Sequence, residues 1–122
     1  MIDIQRAEEL LAELIDELPD GILQGLNGGI LLSDEEKIHP ESKEGDKLLI
    51  LGQYIISNLG SQIVIYYGSF ESLFWYYDDE AFKDKLREIL HHELTHHLEY
   101  LAGENDLAID DMIFMEKYRN EN

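Results

Sequence analysis

Residues 78–103 read DDEAFKDKLREILHHELTHHLEYLAG. Asp78 or Asp79 can cap a helix here by accepting the free amide hydrogens of its first turn. Gly103 suits the left-handed turn that ends one, so the spacing predicts a helix to about Ala102. Stepping about 100° per residue from Phe82, the apolar side chains Leu86, Ile89, Leu90, Leu94, Leu98 and Leu101 share one arc. That arc is the face a helix lays against a core. His92 and His96 fall at the edge of the arc, whereas His97 lies inside it and His91 outside it. His97 therefore reads as a core or supporting histidine, and His91 as exposed.

His92-Glu93-Leu94-Thr95-His96 carries the chemistry. Residues four apart stand one turn apart on the same helix face. Two imidazoles so placed can each reach one zinc ion about 2.0–2.1 Å away. Glu93 is turned about 100° from His92, which suits a general base acting on water beside the metal rather than a ligand. A catalytic zinc usually takes three protein ligands. Glu99 is close to the same face, but a straight helix does not easily wrap three donors around one ion, so Glu99 reads as a partner orienting a histidine. Beyond Gly103, sequence pattern favours Asp106 as the third ligand, while a helix returning antiparallel favours Asp110 or Asp111. Other divalent metals can also occupy a histidine–carboxylate site.

Working outward, Ile4, Ala7, Leu10, Leu11, Leu14, Ile15 and Leu18 recur at helical spacing until Pro19-Asp20-Gly21 stops them. Ile22 to Leu26 adds a further turn. Ile30 to Leu32 reads as a strand, and residues 33–46 as a loop containing Pro40 and Gly45. Residues 47–56 and 62–67 read as a hairpin across Asn58-Leu59-Gly60-Ser61, ended by Gly68-Ser69. Phe70 to Tyr77 reads as a short helix or loop. Asn105 or Asp106 can cap a last helix carrying Leu107, Ile109, Ile113 and Phe114. Helix, strands, then helices describe a single α+β domain over residues 1–122.

Bulk composition narrows the function. Nine basic residues against 27 acidic ones give a net charge of −18. Such a surface repels phosphate, which argues against nucleic acid and anionic membranes as partners. The chain has no cysteine, so any metal must be held by His, Asp, Glu or water. Residues 1–18 carry acids and no signal-peptide pattern, and no stretch is long enough for a membrane helix. The expected location is the cytoplasm.

At these residues the chain resembles a bacterial family of minimal zincin-like metallopeptidases. The likeness runs through Leu26-Asn27-Gly28-Gly29-Ile30, through Ile63-Val64-Ile65-Tyr66-Tyr67-Gly68-Ser69-Phe70, and from Arg87 to Tyr118. Shorter members carry a glycine where Glu99 stands and lack a segment of about residues 100–108. Their aspartate ligand maps to Asp106 or to Asp111. The resemblance implies a zincin-like α+β fold, a small mixed sheet packed on the N-terminal helix and the metal helix. It also implies an edge strand beside the cleft to pair with an extended peptide or protein substrate, for which residues 62–67 are the candidate. The expected activity is zinc-dependent peptide hydrolysis with Glu93 as general base, and a tyrosine among Tyr66, Tyr67, Tyr76, Tyr77 and Tyr100 as oxyanion donor. The alternatives are a non-catalytic, metal-stabilised module that binds a peptide or partner, and hydrolysis of a non-peptide amide.

Overall fold

The helix predicted over residues 78–103 forms almost as written, and the rest of the chain is arranged beneath it. The computed structural model describes residues 2–43, 45, 47–58 and 60–103, and the backbone of 112–115. These form helices α1 (Ile4–Asp16), α2 (Tyr67–Phe74) and α3 (Asp79–Leu101), with strands β1 (Ile30–Ser33), β2 (Lys37–Ile38), β3 (Leu48–Ser57), β4 (Gly60–Tyr66) and β5 (Met112–Met115). Asp78 caps α3 by accepting the amide hydrogen of Ala81 at 2.8 Å. Asp79 and Glu80 add negative charge to the positive end of the helix dipole. Asp3 caps α1 in the same way through Arg6.

The sheet is mixed, with strand order β1-β4-β3-β2 and β5 also paired to β3. β1 runs parallel to β4, while β3 is antiparallel to β4, β2 and β5. Alternation along β4 sends Ile63 and Ile65 into the main core with the helices, and Val64 and Tyr66 into a second small cluster with Ile50. The pairing of β3 with β5 shifts register between Ile50 and Gly52. At this irregularity Leu49 and Leu51 enter the main core, yet Gly52 also lies against α3. Two successive residues thus serve one face, as a bulge permits.

α1 and α3 lie side by side. Arg6 pairs with Asp79, Lys83 with Glu13 and Glu17, and Arg87 with Glu17. The pairs ascend together along both helices, so the two run in the same direction. These side chains are exposed or half-exposed, and each bridge contributes little on its own. The seam is held by Ala7, Leu10, Leu11 and Leu14 of α1, all buried in the main core with Leu86, Leu90 and Leu94 of α3.

Five sequence expectations need correction. Gly68 and Ser69 do not end a strand; they lie in the first turn of α2. The loop over residues 33–46 contains β2, which pairs with Leu49 and Ile50. Ile113 and Phe114 belong to β5 rather than to a last helix, because their backbone pairs with Ile50 and Leu49; the proposed caps Asn105 and Asp106 lie outside the described residues. Residues 62–67 are not an edge strand, since β4 has β1 on one side and β3 on the other. Leu98 and Leu101 are 45% and 52% exposed, because the buried arc of α3 ends at Leu94 and His97. No helix among the described residues is long and apolar enough to cross a membrane.

Leu86 and Leu98 share one predicted arc but not one environment. Leu86 is fully buried, so Leu86→Ala is expected to cost about 2–5 kcal/mol in urea denaturation. Leu98→Ala is expected to cost about 1 kcal/mol or less. Equal losses would contradict the burial described.

Candidate metal centre

His92 and His96 project from successive turns of α3, with ring centroids 4.9 Å apart and planes at 89°. Two imidazoles sharing a tetrahedral ion at about 2.0–2.1 Å place their ring centres roughly 5 Å apart, so the spacing suits a shared ion. His92 is half-buried, and His96 is 6% exposed. Glu93 is fully buried. It falls on the core side of the helix, against β3.

Gly52 makes that placement feasible. A Cβ built on Gly52 would lie 2.7 Å from Ile89 Cγ2, well inside contact distance, and 3.4 Å from Glu93 Oε2. The strand backbone therefore comes up against the first turn of the motif with no side chain between them. Sequence reasoning overlooked Gly52, although a glycine inside a strand pattern is a signal of close backbone approach.

His97 is fully buried and has a different task. Its Nε2 lies 2.9 Å from the carbonyl oxygen of Gln24, which can only accept, so Nε2 carries the proton. In the neutral ring Nδ1 then accepts, at 2.7 Å, the hydroxyl hydrogen of Tyr54. Both ring nitrogens are thereby engaged by the protein. Tyr54 is 1% exposed, and its burial raises the phenol above its ordinary pKa. His91 is exposed, and its carbonyl accepts a hydrogen bond from Thr95 Oγ1.

Other candidates are dispersed. The Tyr66 hydroxyl donates to Gln53 Oε1 at 2.6 Å, and the Tyr67 hydroxyl donates to the Ile2 carbonyl. Tyr77 stacks on Phe74, and Tyr76 is 60% exposed. Tyr100 lies one turn beyond His96 on α3, with its ring centroid 6.2 Å from that of Tyr54. Asp106, Asp110 and Asp111 lie outside the described residues. Among the described residues, Glu99 included, no three His, Cys, Asp or Glu side chains gather where one ion could bind them together. An apolar cleft of about 240 Å³ runs between Pro19, Ile22 and His91, on the side of α3 away from His92 and His96.

The fold and this helix define an α+β protein with paired histidines on a helix packed over a mixed sheet. No family model matches the chain, and no curated protein matches it. A solved structure, the conserved hypothetical protein TTHA0227 from Thermus thermophilus, is similar over 84% of this chain and 100% of its own, with 33% identity and a TM-score of 0.68. The chain belongs to the same family as that conserved hypothetical protein.

Tyr54 supplies a test with a defined sign. With its pKa raised in the fold, the folded state keeps the phenolic proton that the unfolded chain releases. The stabilisation is complete below the ordinary tyrosine pKa of about 10 and is lost as pH rises through the folded value. Tyr67 is shifted the same way, chiefly by burial. Stability measured by urea should therefore fall as pH rises above about 10, and less steeply in Tyr54→Phe. At neutral pH the same variant strands Nδ1 of His97 and is expected to cost about 1–3 kcal/mol.

Proposed function

We propose that this protein is a zinc-dependent metallopeptidase of zincin-like fold, with His92 and His96 as metal ligands and Glu93 as general base. The observation that carries the reading is the pair of imidazoles 4.9 Å apart on one helix face, with the carboxylate between them in sequence buried against Gly52. The donor set fits zinc, since neutral imidazole is among its preferred ligands. A mixed sheet packed on α1 and α3 supports the zincin-like reading of the fold.

Zinc bound there supplies Lewis-acid polarisation of a substrate carbonyl and activation of water near neutral pH. His92 and His96 would hold the ion through their ring nitrogens, with His92 the more exposed of the two. Glu93 accepts the proton of the attacking water and returns it to the departing amine. Its burial keeps bulk solvent from the carboxylate while the proton is held. A third donor from Asp106 or Asp111 completes the set.

A second reading has an observation of its own. With Glu93 fully buried and His96 nearly so, the same histidines suit a closed structural site that stabilises a peptide- or partner-binding module. Both readings require that purified protein takes up zinc and that replacing His92 and His96 with alanine abolishes uptake. Of Asp106→Ala and Asp111→Ala, the variant that removes the third donor is expected to weaken binding by about tenfold or more and the other by much less, read by zinc competition titration. Peptide-library cleavage then separates the readings. Glu93→Gln should keep zinc and lose about 100-fold or more in rate. Equal cleavage by Glu93→Gln and the unaltered protein defeats the role of Glu93, and no cleavage by either supports the closed site.

A further inference from the structure

The grip on α3 changes character along its length. Phe82, Leu86, Ile89, Leu90 and Leu94 anchor it through buried apolar contacts. Beyond Leu94 that anchoring stops, and Leu98, Tyr100 and Leu101 are 45%, 43% and 52% exposed. His96 lies in this last stretch, so apolar burial does not fix the turn that carries it. His97 does. Its two nitrogens bond to elements on different parts of the fold: Tyr54 on β3, and the carbonyl of Gln24 in the turn before β1.

The distinction matters for geometry. An apolar contact tolerates a small slide or rotation of the helix. Two hydrogen bonds from different corners of one planar ring do not, because each weakens steeply off line. The turn is also shaped to meet the ring. Gly25 has φ +82°, and a Cβ there would lie 3.2 Å from Leu101 Cδ2 and 3.8 Å from His97 Cε1. A side chain at this position would crowd the end of α3, so glycine lets the Gln24 carbonyl come within reach of Nε2.

We propose that His97 is a positioning residue for the metal centre. By bonding α3 to β3 and to the turn before β1, it sets the direction in which the adjacent His96 ring meets an ion shared with His92. The two neighbouring imidazoles thus divide their work: His96 serves the metal, and His97 gives both nitrogens to the scaffold. This inference rests on the metal reading of His92 and His96.

The experiment compares zinc affinity with stability in four proteins: unaltered, His97→Phe, Tyr54→Phe, and a control, Leu14→Ala. Leu14 is buried on α1 and bonds to neither nitrogen of His97, so its truncation destabilises the fold without removing that contact. Zinc dissociation constants are measured by competition with a chromophoric chelator, well below every unfolding midpoint. His97→Phe is expected to lose about tenfold or more in affinity, in the range seen when groups that orient metal ligands are removed. Leu14→Ala should bind as the unaltered protein does. Tyr54→Phe, which deletes a single hydroxyl, should lose about threefold or more, and it carries the test if His97→Phe does not fold. Unaltered affinity in the variants, or an equal loss in the control, overturns the positioning role and leaves the metal reading intact. Failure of the unaltered protein to bind zinc overturns both.

Discussion

The structure depends on the close approach of α3 to β3 at Gly52. Helix and strand meet where the strand has no side chain, and that contact puts Glu93 inside the protein rather than on its surface. A bulky residue at this position would lift the helix off the sheet, because the neighbouring Ile89 has no room to retreat in a packed core. The register shift just before Gly52 belongs to the same arrangement: it lets Leu51 fill the core while the next residue also turns toward the helix. Burial of the apolar face and placement of the acidic group are thus one event in folding.

The same helix shows two kinds of restraint in succession. Its first four turns are held by hydrocarbon, which supplies most of the driving force but little directional control. Its last turns are held by an imidazole between a phenol and a carbonyl. Stability and precision come from different residues, separated along one element. A buried polar contact of this kind is justified only when every group in it is satisfied. His97 meets that condition through partners 43 and 73 residues away in the chain.

Those separations explain what the sequence could and could not convey. The limits of α3 were legible because Asp78 and Gly103 act locally, through a cap and a positive φ of 87°. The hairpin of β3 and β4 was legible from two β-branched runs around a turn. The histidine pair and the burial of His97 followed from angular position alone. What escaped was set by tertiary pairing. The two residues of β2 are a strand only because Leu49 and Ile50 are beside them, and Ile113 and Phe114 become a strand for a similar reason. Periodicity placed Leu98 and Leu101 on the apolar arc, but it does not say where the partner surface stops. The aromatic run at the start of α2 has no clear period, so its beginning at Tyr67 was hidden.

The ladder of ion pairs between α1 and α3 has a consequence for how the protein answers to its solvent. Arg6, Lys83 and Arg87, three of only nine basic residues, are committed to this one seam. Much of the remaining exterior is left to mutual repulsion among carboxylates. Dissolved electrolyte weakens attraction and repulsion alike over a Debye length of about 8–10 Å. With 27 acidic residues against nine basic ones, the excess of like charge outweighs these attractions, and the folded chain gains more than it forfeits as ionic strength rises.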